Sequence, residues 1–125
     1  MPESENTFRT DGTIDWFPNQ NPAREYLVEF FAHEFTSVCP MTGQPDFGEV
    51  TLRYVPGEKC IELRSWKYYL QGFRNRGIFY EDAMNVILDE VVAAIQPRSA
   101  TVIGDMGRRG GISARVTVSF TAPSS

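Results

Sequence analysis

Residues 59–97 read KCIELRSWKYYLQGFRNRGIFYEDAMNVILDEVVAAIQP, and the spacing of apolar side chains changes within them. Trp66, Tyr69, Leu70 and Phe73 recur at i, i+3, i+4 and i+7, the apolar face of a helix. Ser65 is a suitable N-cap for it and Gly77 a break after it. Met84, Ile87, Leu88, Val91 and Ile95 make a second, longer stripe within residues 79–95, and Pro97 stops it. Two helices thus follow one another, entered from a short strand, KCIELR. Upstream, GEVTLRYVP (48–56) alternates, with Val50, Leu52 and Tyr54 on one side and Thr51 and Arg53 on the other. YLVEFFAHEF (26–35) reads as the strand before it, and SVCPMTGQPDF (37–47) as the loop between, because of Pro40, Gly43 and Pro45. Downstream, SATVIGDM (99–106) and GISARVTVSF (111–120) are two more strands, joined by the glycine-rich turn GRRGG (107–111). Ile112, Ala114, Val116, Val118 and Phe120 share one face of the last. Strands on either side of a helical pair imply an α+β domain, an antiparallel sheet with both helices on one face.

This domain spans residues 25–121, with a four-residue tail at 122–125. Residues 1–24 are polar and carry prolines at 2, 18 and 22, so they read as an extended arm, mobile at its start. At 125 residues the chain is one domain, burying about 65% of its unfolded surface. That is enough for a core but leaves little to enclose a deep pocket.

Twelve Lys+Arg against sixteen Asp+Glu give a net charge of −4, which argues against a general nucleic-acid binder. Forty-two per cent hydrophobic and 13% aromatic residues set the chain apart from disordered sequences. Cys39, Cys60 and His33 are its only cysteines and histidine, without CxxC or HExxH spacing, so no catalytic metal is expected. A Ser-His-Asp triad would have to use His33, and no serine lies in a GxSxG segment. No apolar run approaches a membrane span, and neither a disulfide framework nor a signal peptide is apparent. The expectation is a soluble cytoplasmic protein with reduced thiols.

Cys39 sits in a loop between strands, where it is either a small buried hydrophobe or a nucleophile with a lowered pKa. Asp46, seven residues on, is either a turn residue or an acid placed to exchange a proton with it. Cys60, inside a strand pattern, reads as core, and His33 as a packed or surface imidazole. Glu62, Arg64 and Lys67 surround a helix start, which is either a solvated charged face or a place for an anion. Arg109, in the glycine-rich turn, carries a planar fork suited to phosphate.

FTSVCPMTGQPDFGEV, IELRSWKYYLQGFRNRG, FYEDAMNVILDEVV and GRRGGI together resemble the 7-cyano-7-deazaguanine reductases, the QueF family of nitrile reductases in queuosine biosynthesis. The resemblance runs from about Phe30 to Phe120 with the motifs in family order. It implies the tunnelling fold, ββααββ, whose sheets assemble into a barrel, and NADPH as the dissociable reductant. It further implies that Cys39 adds to the nitrile carbon to form a thioimide and that Asp46 donates the proton. By the same resemblance Ile61, Glu62 and Leu63 line the nucleobase pocket, Glu81 binds the base, and Arg64, Lys67 and Arg109 meet the NADPH phosphates. The family usually has lysine at the place of Arg64, and many members have histidine at the place of Tyr80, which is kept here as a pocket residue only. Two alternatives share parts of this pattern: an amidinotransferase acting on the same nitrile in tRNA, and a non-catalytic nucleobase-binding protein. GTP cyclohydrolase, a relative in fold, uses zinc ligands that this chain lacks. The small size implies subunits that share sites; the resemblance implies a homo-oligomer, a decamer of two pentameric rings, with a free deazaguanine rather than nucleic acid or membrane as the partner.

Overall fold

The computed structural model describes residues 11–124, in the order β1 (Trp16–Pro18), β2 (Val28–Val38), β3 (Pro45–Val55), β4 (Lys59–Ile61), α1 (Leu63–Gln71), α2 (Tyr80–Ile95), β5 (Ser99–Arg109) and β6 (Ile112–Thr121). The four long strands form one antiparallel sheet in the order β2-β3-β5-β6, and both helices pack on one of its faces. This is the α+β architecture expected from the change of apolar period; the expected short strand KCIELR is strand only over β4 and pairs with β1 in a separate two-stranded ribbon.

The core lies between sheet and helices. Val50, Leu52, Tyr54, Ala100 and Val102 meet Trp66, Tyr69 and Leu70 of α1 and Ala83, Met84, Ile87, Val91 and Ile95 of α2, all buried. Two glycines bring α2 unusually close. A Cβ on Gly48 would lie 2.1 Å from the Tyr80 hydroxyl, and one on Gly104 would lie 2.9 Å from the Tyr80 ring. The tyrosine therefore rests directly on bare backbone. The opposite sheet face carries Phe31, Thr51, Ile103 and Thr117 side by side, and Phe31 is 58% exposed.

α1 ends at Gln71, short of the break expected at Gly77, and β5 runs to Arg109, into the expected turn. Three further details differ from the sequence pattern. First, β2 continues to Val38 and β3 starts at Pro45, which shortens the cysteine loop to residues 39–44. A bulge between Ala32 and Phe35 hides this continuation, because it returns Phe35 and Ser37 to the helix side after Phe30 and Ala32. Second, the N-cap of α1 is Glu62 and not Ser65: its carboxylate accepts the N–H groups of Arg64 and Ser65 at 2.9 and 2.8 Å. Ser65 instead holds the arm, accepting the Asp15 N–H at 2.8 Å and donating to the Glu62 carbonyl at 2.8 Å. Third, residues 11–24 are tied down in part. Ile14, Asp15 and Asn19 are buried, Trp16–Pro18 pairs with Lys59–Ile61, and Asn19 donates to the Gly57 carbonyl at 2.7 Å. The start of the arm, expected to be mobile, lies outside the described residues, as does Ser125 of the expected tail.

Candidate active site

The β2–β3 connection closes on itself. Cys39 donates its N–H to the Gln44 carbonyl at 2.9 Å, Gly43 donates to the Cys39 carbonyl at 2.8 Å, and the Gln44 N–H reaches Thr42 Oγ1 at 3.2 Å. Gly43 has a φ of 71°, which an L side chain adopts only with strain. This loop holds the Cys39 thiol, partly exposed, below its ordinary pKa. The Thr42 hydroxyl is the largest cause, followed by the N–H groups of Met41 and Thr42; burial and the Asp46 charge oppose them. Hydrogen bonds to the charged form favour the thiolate, the reactive species.

Asp46 opens β3 opposite Ser37, and its side chain is 14% exposed. Arg109 Nη2 pairs with Asp46 Oδ1 at 3.2 Å and donates to the Pro45 carbonyl at 2.7 Å. Ser37 Oγ, across the ladder from Asp46, is buried without a hydrogen-bond partner among the described residues. The segment leading into α2 then docks on the end of β2: Val38 donates to the Arg76 carbonyl and Ile78 donates to the Val38 carbonyl, both at 3.0 Å. That contact sets Tyr80 and Glu81, in the first turn of α2, at the same end of the sheet. Glu81 is exposed. Tyr80 is 1% exposed, with its hydroxyl donating weakly to the carbonyls of Glu49 and Asp105 at 3.5 and 3.3 Å. Burial, then the charges of Asp105, Asp46 and Glu49, push its phenol far above the ordinary value, so it stays neutral. It acts here as a wedge under the site.

The remaining candidates gather elsewhere. Glu62, Leu63, Arg64 and Lys67 line a groove of about 860 Å³ between α1 and the outer strand β2, floored by Phe30, Ala32 and Trp66. Leu63 is 61% exposed, and Arg64 and Lys67 are exposed cations one turn apart. Ile61 lies buried behind them and donates its N–H to the Tyr54 hydroxyl at 2.9 Å. The structure therefore brings together Cys39, Asp46, Tyr80, Glu81 and Arg109 at one end of the sheet, and Ile61, Glu62, Leu63, Arg64 and Lys67 at the start of α1. It does not bring the two sets into one cavity within the chain. The first set combines a thiol biased toward thiolate with a nearby carboxyl group, which suits addition to an electrophilic carbon. The second combines a carboxylate, an apolar floor and two cations, which suits a flat heterocycle and an anion. Cys60 is buried, and His33 is exposed and 3.4 Å from Glu49. Among the described residues no three His, Cys, Asp or Glu side chains converge as a metal site, and no helix is long and apolar enough to cross a membrane.

Thr42 and Ser37 are site residues that motif reading passed over. Thr42 carried a signal, a hydroxyl three residues after the cysteine in a Pro- and Gly-bounded loop. Ser37 carried none, because its place depends on the β2 bulge.

The family model described as QueF-like protein matches residues 45–125. A protein of Chlorobaculum parvum named NADPH-dependent 7-cyano-7-deazaguanine reductase is 57% identical over 109 residues, covering 87% of this chain and 94% of the relative. The protein of the same name from Chlorobium chlorochromatii is 51% identical, covering 89% and 96%. Among solved structures, the archaeosine synthase QueF-Like in its apo form superposes with a TM-score of 0.72 at 24% identity, covering 78% of this chain and 96% of that one. That likeness speaks for the fold alone.

Proposed function

The chain belongs to the QueF-like family, and on that premise we propose that it is an NADPH-dependent 7-cyano-7-deazaguanine reductase working through Cys39 and Asp46. The observation that carries this reading is the Cys39 loop, which biases a thiol toward thiolate with a carboxylate close enough for its charge to act on the sulfur. A nitrile accepts hydride poorly, and covalent addition of sulfur divides the reduction into easier steps. The S–C bond forms as one π bond of the nitrile breaks. Asp46 takes the thiol proton and returns it to the nitrile nitrogen, so the neutral thioimide balances thiol plus nitrile. NADPH supplies hydride, two per nitrile, to reach the aminomethyl product. Arg64 and Lys67 beside the groove suit its phosphates, while Glu62 and Glu81 suit the N–H edge of the base. Glu62 would accept with the lone pairs that its helix-capping bonds leave free.

The two separate residue sets support a site completed by a second copy of the chain. In such a homo-oligomer, the thiol end of one protomer faces the groove of another, and the open edge of β2 gains a partner. A barrel of two pentameric rings is the assembly the family implies, acting on the free base in the cytoplasm.

The test is NADPH oxidation by the purified full chain with and without 7-cyano-7-deazaguanine. Oxidation should depend on the nitrile, at two NADPH per nitrile, and Cys39→Ala should abolish both turnover and the covalent adduct. Absence of nitrile-dependent oxidation by folded, assembled protein overturns the reading. Nitrogen transfer to the nitrile in tRNA without NADPH would replace it with the transferase.

A further inference from the structure

Ser37 is 0% exposed, and its Oγ has no hydrogen-bond partner among the described residues. Such a hydroxyl is uncommon, because it has lost its hydrogen bonds to water and gained none. Ser37 stands directly across the β2–β3 ladder from Asp46, so the two side chains share the helix side of the sheet. The Cys39 N–H on the Gln44 carbonyl carries the ladder one step further, and alternation sends Cys39, two residues on, to the same side. Directly opposed Cβ atoms lie about 4.5–5.5 Å apart, a gap that a hydroxyl and a carboxylate can close. Residues i and i+2 of one strand lie about 6.5 Å apart, so Asp46 is the nearer acceptor and Cys39 the farther. Other polar atoms at this end are committed. The Tyr80 hydroxyl turns to the carbonyls of Glu49 and Asp105, and the Val38 carbonyl takes the Ile78 N–H. Asp46 Oδ1 itself is held by Arg109, which reaches it where the β5–β6 register slips between Met106 and Arg109. Oγ is enclosed, so it acts through a neighbour and not on a substrate directly.

We infer that Ser37 is a positioning residue for Asp46, holding the carboxyl group in its reacting position between Arg109 and Cys39. The inference rests on the proposed reductase reading and deepens it. In the resting protomer Asp46 is held by Arg109 and the hydroxyl stands unused. As sulfur bonds to the nitrile carbon and one π bond of the nitrile breaks, Asp46 carries the thiol proton to the nitrile nitrogen. Charge returns to its oxygens as the proton leaves, and the Ser37 hydroxyl donates to one of them in a charge-assisted bond of about 2.5–2.7 Å. A bond made only at that stage favours the reaction without favouring the resting fold. It also leaves the guanidinium free to turn to a cofactor phosphate.

Full-length wild type, Ser37→Ala and Ser37→Thr are mixed with 7-cyano-7-deazaguanine without NADPH, and adduct formation is followed by stopped-flow absorbance and intact mass. The same proteins are alkylated with iodoacetamide, which needs the thiolate but no proton carried to nitrogen, and are unfolded in urea at one concentration. Ser37→Ala should slow adduct formation by about tenfold, with the nitrile concentration at half-maximal rate and the alkylation rate each within about twofold of wild type. Its urea midpoint should be no lower than that of wild type, since the resting fold loses no bond. Ser37→Thr keeps the hydroxyl and, at a wild-type midpoint, should form adduct faster than Ser37→Ala. Adduct formation in Ser37→Ala within about twofold of wild type overturns the inference. Equal slowing of adduct formation and alkylation also overturns it, by placing the effect on the thiol. A lowered midpoint in Ser37→Ala does the same, by making the hydroxyl a bond of the resting fold. Wild type that is alkylated at Cys39 but forms no adduct refutes the reductase reading instead, and the inference falls with it.

Discussion

Replacing Gly48 by alanine should damage the protein well beyond the size of a methyl group. The new Cβ would stand 2.1 Å from the Tyr80 hydroxyl oxygen, 2.4 Å from the Asp105 carbonyl oxygen and 3.0 Å from Tyr80 Cζ. Carbon–oxygen contacts settle near 3.3–3.6 Å, so the ring must withdraw by about 1 Å and β5 must also give. Overpacking of this kind costs about 1–3 kcal/mol, and one obstacle here is backbone, which places Gly48→Ala toward the upper end. Alanine returns about 0.5–1 kcal/mol by restricting the unfolded chain, leaving a net loss of about 2 kcal/mol. With a urea slope near 2 kcal/mol/M, the unfolding midpoint should fall by about 1 M. Tyr80→Phe removes the nearest obstacle and loses only the two long hydrogen bonds, about 0.5–1 kcal/mol. The double variant should therefore be more stable than the sum of the singles by about 1 kcal/mol. Gly104→Ala should cost less: its Cβ meets Met84 Sδ at 2.5 Å and Tyr80 Cε2 at 2.9 Å, side-chain atoms that move aside more readily than a carbonyl. Wild type and all four variants are unfolded in urea at one concentration, since assembly shifts apparent stability. A Gly48→Ala midpoint equal to wild type, or single losses that add within about 0.3 kcal/mol, would show that the Tyr80 contact is not what excludes a side chain at Gly48.

Thr42→Val should raise the Cys39 pKa toward its ordinary value. The thiolate is populated above its pKa, so wild-type alkylation by iodoacetamide should persist to lower pH and fade as pH drops through the depressed value. In Thr42→Val the same profile should move to higher pH, and an unmoved profile would remove the hydroxyl as the cause. Ser65→Ala strips the buried Asp15 N–H of its acceptor and should cost about 1–3 kcal/mol, read by urea unfolding. It should also speed proteolytic cutting within residues 11–18, and unchanged unfolding and cutting would show that the arm is held by other contacts.

The helical pair and the alternating strands were legible because each buries a periodic stripe on one face: Met84, Ile87 and Val91 of α2 share one buried core with Val102, as their spacing required. Cys39 and Asp46 were legible as candidates because loop chemistry is concentrated in short motifs. The ion pair to Arg109 was not, since it depends on a bulge sixty residues away that leaves no period behind. The β1 half of the β1–β4 ribbon was hidden for a similar reason. Three residues joined by backbone hydrogen bonds need no alternation, and Ile14, Trp16 and Phe17 are too few to make a period. Glu62 was read as a ligand and Ser65 as the cap; the buried Asp15 N–H claimed the serine and left the cap to the glutamate.

The groups that lower the Cys39 pKa all lie within three residues of it, on a loop closed by its own backbone. Thiol reactivity is thus a property of one folded protomer, whereas turnover in the proposed site is a property of the assembly. An electrophilic probe should label isolated protomers that cannot reduce anything. Covalent labelling would then count folded chains, turnover would count completed sites, and their ratio would follow assembly in a mixture where neither can be seen directly.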